Sequence, residues 1–144
     1  MTPEPLVHES RIKVPYRWSA GETGTRFLAG LRDEGRIRGT RCPGCRKAYV
    51  PPRRDCPACF MRCREWVEVG PEGTLVSFTR AGYETAAQPV RSPVYGLIRL
   101  DGADTAMLHL LSGIEGLRTG MRVRAVFREE RRGSVLDIRH FEPA

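Results

Sequence analysis

Residues 42–59 read Cys-Pro-Gly-Cys-Arg-Lys-Ala-Tyr-Val-Pro-Pro-Arg-Arg-Asp-Cys-Pro-Ala-Cys, two Cys-x-x-Cys pairs with ten residues between them. Each pair reads as a knuckle, a tight turn that aims two sulfurs at one metal. Pro43 and Pro57 preset the backbone at the second position of each turn, and Gly44 offers freedom at the third. A tetrahedral zinc ion takes four such thiolates at about 2.3 Å, so Cys42, Cys45, Cys56 and Cys59 are the expected ligands. A rubredoxin-like iron centre uses the same ligand set and is the competing metal. With cysteine in all four positions no place is open for a catalytic water, so the site is expected to be structural. A hairpin this short has no core of its own, and the ion is expected to fold it.

Around this hairpin the chain has 144 residues, with 40% apolar and 28% charged, which fits a folded chain of one ordinary domain or two small ones. Met1 to Arg11 holds no apolar core of signal-peptide length, and no apolar run reaches membrane-spanning length, so a cytoplasmic protein is expected. Cysteines stay reduced there, which favours metal over a disulfide framework. Cys63 is left over. As a nucleophile it needs a base and a lowered pKa, and His8, His109 and His140 are all distant in sequence. His109 sits within a strand pattern and reads as a packed or surface histidine in preference to a base.

The net charge is +7, and all basic residues except Lys13 and Lys47 are arginine. A GC-rich genome gives the same bias. The placement says more: between Arg36 and Arg64 stand Arg36, Arg38, Arg41, Arg46, Lys47, Arg53, Arg54, Arg62 and Arg64 against the single acid Asp55. Such a lobe suits a phosphate-bearing ligand, nucleic acid or an acidic protein face.

Outward from the hairpin the elements are short. Met1 to Ala20 carries few periodic signals and reads either as an extended arm on a partner, anchored by Tyr16 and Trp18, or as a frayed terminus. Phe27, Leu28 and Leu31 share one face of a helix over 25–34, capped by Thr23 or Thr25 and stopped by Gly35. Ile37 to Thr40 leads as a strand into the first knuckle, and Trp66 to Val69 leads out of the second. From Gly73 onward the reading is strands at 74–79, 94–100, 105–111, 122–127 and 135–141. Gly96 suggests a bend or bulge, and Asp101-Gly102 a tight turn. Five short strands in so few residues predict a small antiparallel barrel. The connection 81–93 is the longest irregular one, a feature often functional. The division is therefore 1–35 arm and helix, 36–70 zinc ribbon, 71–144 barrel: a mainly β protein.

The run IRGTRCPGCRKAYVPPRRDCPAC (37–59), EWVEV (65–69), Gly73-Thr74-Leu75, VYGLIRLDG (94–102) and GLRTGMRVRAVF (116–127) resembles the zinc-ribbon OB-fold proteins known as acyl-CoA-associated, earlier a domain of unknown function numbered thirty-five. The resemblance covers roughly residues 20 to 144. It implies an N-terminal helix, a rubredoxin-like zinc ribbon and a C-terminal five-stranded OB-fold barrel. It also implies a role beside thiolase-like proteins that handle acyl-CoA. Some members belong to acetoacetyl-CoA thiolase complexes, and others pair with aldolases of steroid side-chain breakdown. Still others are similar to the small subunit of benzoylsuccinyl-CoA thiolase in anaerobic toluene degradation. The chain's length and the arm RIKVPYRWSAGETGTRFL (11–28) favour the last kind. Cys63 lies outside the family's ligand set.

Thiolysis needs a nucleophilic cysteine with acid–base partners. This chain commits four of its five cysteines to metal. The expectation is a subunit without catalytic residues of its own in a heteromeric thiolase-type (acyltransferase) complex, by analogy two plus two. Its Zn2+ is structural, and coenzyme A or acyl-CoA is a ligand shared with the partner. Arg41, Lys47, Arg53 and Arg54 are the candidate contacts to the coenzyme A phosphates, and a solvated basic face is the plain alternative for each. Pure scaffolding is a related reading. The competing class is a single-stranded nucleic-acid binder, since ribbons and OB folds both serve there. That needs stacking platforms, and Phe78, Tyr83, Tyr95, Phe127 and Phe141 form no evident stripe. The charge also sits on the ribbon, not the barrel.

Overall fold

A computed structural model describes residues 3–113 and 115–144. Met1 and Thr2, which begin the predicted arm, lie outside it. Residues 3–20 form neither helix nor strand and are exposed. Helix α1 follows at Gly21–Glu34, with Phe27, Gly30 and Leu31 buried. It starts earlier than predicted, and neither Thr23 nor Thr25 caps it. Ala20 takes the cap position without a side-chain bond, and Ser19 Oγ accepts the Gly21 N–H at 3.1 Å. Gly21 and Gly24 in the first turn hide that turn from a propensity reading. Gly35 ends the helix as predicted, left-handed at φ 63° with its N–H bonded to Gly30 O.

Three short strands make the ribbon sheet: β1 (Ile37–Arg41), β2 (Ala48–Tyr49) and β3 (Glu65–Val69), in the order β2-β1-β3. Five more strands close a barrel: β4 (Glu72–Arg80), β5 (Val94–Leu100), β6 (Met107–Leu111), β7 (Arg122–Phe127) and β8 (Ile138–Pro143), in the order β4-β5-β6-β8-β7. The barrel is mixed, not wholly antiparallel, because β6 meets β8 in parallel at Leu111–Phe141. Closure of an odd number of strands requires one such pair.

The expected bulge is on β4, where the register shifts between Leu75 and Ser77. Gly96 stays in the regular ladder, opposite Phe78 and His109. Its glycine is a matter of space: a Cβ there meets Leu75 Cδ1 and Leu111 Cδ1 at 2.8 Å. The predicted strand over 135–141 is shortened because Val135–Asp137 forms a 3-10 turn inside a Ser134/Asp137 capping box. Thr105 drops out of β6 because its hydroxyl bonds Val50 N–H at 2.9 Å and Val50 O at 3.0 Å.

One core spans both parts. Phe27 and Leu31 of α1, with Ile37, Val50 and Val69 of the ribbon base, pack with Leu75, Ile98, Leu100, Met107, Val123, Ile138 and Phe141 of the barrel. Polar bonds lock the same seam. Asp104 Oδ2 accepts the Ala48 N–H at 2.8 Å, and Asp104 N–H returns to Ala48 O at 2.9 Å. The base of the ribbon, Ile37, Val50 and Val69, is thus seated on the barrel.

Candidate metal centre and basic face

The two knuckles fold by the same backbone bonds. Arg46 N–H reaches Cys42 O at 3.1 Å, and Phe60 N–H reaches Cys56 O at 2.9 Å. Cys42 N–H then bonds Lys47 O, and Cys56 N–H bonds Met61 O. Each turn needs a left-handed residue just after its second cysteine, and Arg46 (φ 62°) and Phe60 (φ 58°) supply it. Gly44 is not left-handed. A Cβ there would meet Met61 Sδ at 2.8 Å, on a flexible and partly exposed side chain, and Cys59 Sγ at 3.5 Å. Ala58 fills the same position of the second knuckle.

The sulfurs of Cys42, Cys45, Cys56 and Cys59 lie within 4.8 Å of one another. Cys45 Sγ and Cys56 Sγ are 3.7 Å apart. A tetrahedron with metal–sulfur bonds of about 2.3 Å has edges of about 3.8 Å, so the cage fits a zinc-sized ion. The surroundings favour thiolate. Gly44 N–H points at Cys42 Sγ (3.3 Å), Cys59 N–H at Cys56 Sγ (3.4 Å), and Tyr49 hydroxyl lies 3.1 Å from Cys56 Sγ. The Tyr49 bond leads in drawing Cys56 down to about 6. The hydrogen bond to Cys45 first, and then burial, push Cys59 up to about 12. Four sulfurs so close ionise together only around a cation, and a dication leaves the cluster at a formal charge of minus two. These four cysteines form a zinc-ribbon site, and the donor set supports structural zinc.

Cys63 packs beside the cage with Cys42, Tyr49 and Cys56. Burial first, and then the nearby sulfurs, push its thiol up to about 11. That is the opposite of what a nucleophile needs. His109 lies inside the barrel. Its Nδ1 accepts the Leu110 N–H at 2.8 Å, its Nε2 donates to Val135 O at 3.1 Å, and Phe141 meets it edge-on. Burial holds its pKa below the ordinary value.

The basic window looks unbalanced only when its edges are cut at residues 36 and 64. Acids just outside it fold back: Arg36 pairs with Glu68 at 3.1 Å, Arg38 with Glu34, Arg41 and Arg46 with Glu65, and Arg62 with Glu22 at 3.3 Å. The charge is thus partly compensated within the ribbon and by α1. Nor do the four predicted contacts share one site. Arg41, half-buried, lines a groove of about 430 Å³ with Arg62 and Arg64. Arg54, paired with Asp55 at 3.7 Å, lines a second groove of about 410 Å³ with Arg62 and the start of α1. Lys47 and Arg53 are exposed, line neither groove and have no ion pair among the described residues. Arg53 is nevertheless fixed, because Thr40 Oγ1 both donates to its carbonyl (2.7 Å) and accepts its N–H (2.8 Å).

Arg62 joins the two grooves, and neither it nor Arg64 is among the four predicted contacts. The signal was present: they flank buried Cys63 in alternation, so both must point outward. A third groove of about 810 Å³, between the ends of β7 and β8, carries Arg128, Arg132 and Arg139 beside Glu129 and Glu130. The charge reading had no reason to find it. Of the barrel aromatics Phe141 is fully buried and Phe78 and Tyr83 are exposed, and among the described residues the aromatic ring pair is His109 with Phe141.

A ChsH2-type rubredoxin-like zinc ribbon domain model matches residues 30–64, and a ChsH2-type C-terminal OB-fold domain model matches residues 66–128. A solved structure described as the Ltp2-ChsH2(DUF35) aldolase superposes with a TM-score of 0.67 at 21% identity, over 88% of this chain and 98% of that one. A DUF35-family protein of unknown function from Sulfolobus solfataricus superposes with a TM-score of 0.60 at 25% identity, over 74% of this chain and 78% of that one. No curated protein matches the chain. Among the described residues no helix is long and apolar enough to cross a membrane.

Proposed function

From the premise that this chain belongs to the ChsH2-type (DUF35) family of zinc-ribbon OB-fold proteins, we propose that it is a non-catalytic subunit of a heteromeric, thiolase-type acyl-CoA enzyme of the cytoplasm. The observation that carries this reading is the state of its cysteines. Four are committed to a closed metal cage, and the fifth, Cys63, is buried against it. Thiolysis through a cysteine nucleophile is closed to such a chain, so in a thiolase-type complex it lends surface to a subunit that supplies the thiolate. The described neighbour, in which a ChsH2 is named together with Ltp2, supports a heteromeric partner for this chain as well.

In this reading the ribbon covers the partner's active-site entrance, and its arginines hold the phosphates of coenzyme A through their planar forks. Arg53 is the first candidate, because its backbone is pinned and no described carboxylate competes for its guanidinium. Arg54 and the Arg41, Arg62 and Arg64 groove follow. The metal fixes the ribbon and takes no part in the chemistry. By the resemblance of its arm, residues 11–28, the pathway we propose is the aromatic-compound branch named above, of which toluene breakdown is the example.

Isolation of the chain with its partner from the source organism tests the assembly. Steady-state kinetics of that complex tests the contacts. Arg53→Ala with Arg54→Ala is expected to raise KM for the CoA substrate about tenfold with assembly intact. An unchanged KM reduces the role to scaffolding. A lone monomer that binds single-stranded nucleic acid tightly overturns the proposal.

A further inference from the structure

The arm before α1 hides a pattern that its proline content masks. From Arg11 to Trp18 the residues are Arg-Ile-Lys-Val-Pro-Tyr-Arg-Trp, so apolar side chains fall on every even position and Arg11, Lys13 and Arg17 on odd ones. That is the period of a strand with one apolar and one cationic face. The structure gives this stretch no sheet. Ile12, Val14, Tyr16 and Trp18 are 81%, 66%, 75% and 74% exposed. Monomers rarely present so dense an apolar run to water, and such runs mark interaction sites.

Pro15 settles which edge is usable. In an extended chain the N–H and C=O groups of alternate residues point to the same side. Pro15 lacks an N–H, so the odd-numbered edge is broken. The even-numbered edge is whole, with Ile12, Val14, Tyr16 and Trp18 each offering a donor and an acceptor. The segment is therefore built as a terminal strand, paired on one side only, spanning roughly 20 Å.

We propose that residues 11–18 add as an edge strand to an exposed sheet edge of the partner subunit, pairing through their even-numbered amides. Their even side chains fill an apolar shelf on one face of that sheet, and Arg11, Lys13 and Arg17 meet carboxylates on the other. Strand addition of this kind draws affinity from main-chain bonds and specificity from alternate side chains. The location fits: Ala20 and Gly21, where the arm joins the body, line the groove that holds Arg54 and Arg62. A partner held by the arm is thus placed against the basic face. The inference rests on the subunit reading above.

The test is residue-resolved hydrogen exchange on the full chain, alone and in complex with the partner isolated from the source organism. The even amides at 12, 14, 16 and 18 are expected to slow by about a hundredfold in the complex, with the odd ones little changed. Val14→Pro removes a paired amide and is expected to weaken the complex by about a hundredfold, and Val14→Ala, which keeps the amide, by about tenfold. Lys13→Pro lies on the broken edge and is expected to stay within about threefold. A complex that forms while the arm amides exchange freely overturns the strand and leaves the subunit reading standing. Equal weakening by Val14→Pro and Lys13→Pro also overturns it. Arm protection in the isolated chain with dimerisation assigns the strand to a second copy and overturns it. Recovery of no partner with the wild-type chain overturns both readings.

Discussion

The ribbon tip and the barrel are both folded, but by different interactions. In the barrel, Leu75, Ile98, Met107, Val123, Ile138 and Phe141 exclude water by aliphatic and aromatic packing. At the tip the only buried cluster among the described residues is Cys42, Tyr49, Cys56 and Cys63 with Cys59 at its edge. A barrel core loses stability by degrees as methylenes are removed. A four-sulfur cage without its ion cannot hold four thiolates together, since Cys59 is pushed up to about 12 by its hydrogen bond to Cys45 and by burial. One chain thus carries two kinds of stability, and they meet at the Ala48–Asp104 seam.

Metal removal should separate the two most sharply. Structural zinc contributes about 10–16 kcal/mol of apparent free energy to small zinc domains, more than the tip has from any other source. Chelation, or Cys56→Ser, is expected to abolish hydrogen-exchange protection across 42–63 while β4–β8 stay protected. Simultaneous loss of both would show that the shared core makes one cooperative unit. Next in size is Leu75→Ala, in the fully buried centre of the barrel. It is expected to cost about 2–5 kcal/mol in denaturant unfolding and to leave metal affinity within about threefold.

The same contrast decides what was legible in the chain. The tip was read almost in full, because metal chemistry fixes residue type and spacing at once: Cys42, Cys45, Cys56 and Cys59 admit few other arrangements. The strands at 94–100 and 122–127 were read to the residue, since alternation survives where one face is buried. What failed depends on contacts distant in sequence. Thr105 leaves its strand to bond Val50, and the first turn of α1 carries two glycines yet forms against the ribbon. The parallel β6–β8 pair follows from closure, which no local pattern encodes. The basic face was misjudged for a related reason: Glu34, Glu65, Glu68 and Glu22 sit outside the counted window and return to it only through the fold. Arg62 and Arg64 were in view but were weighed as charge, not as an alternating pair.

The seam itself gives a smaller effect. Asp104→Ala leaves the fully buried Ala48 N–H without its acceptor, a loss of about 1–3 kcal/mol. Asp104→Asn keeps an acceptor oxygen and is expected to recover most of it. If the two regions are coupled there, Asp104→Ala also speeds metal release to a chelator; if they are independent, only the melt of the whole chain shifts.

The smallest effect comes from within the cage and runs toward stability. Phe60 holds the left-handed position of the second knuckle while its ring is 86% exposed, so it has strain without packing to offset it. A left-handed residue with a Cβ costs roughly 1–2 kcal/mol, and glycine removes that cost at an entropic loss of about 0.5–1 kcal/mol. Phe60→Gly is therefore expected to stabilise the tip by no more than about 1.5 kcal/mol, seen as slower metal release with no change in barrel unfolding. Arg46 holds the equivalent position in the first knuckle but also pairs with Glu65 at 3.1 Å, so Arg46→Gly exchanges strain for a lost contact and should come out near neutral. Faster metal release from Phe60→Gly would mean that the exposed ring shields the sulfurs from water. The tip would then have a small apolar term of its own, and the contrast with the barrel would be one of degree.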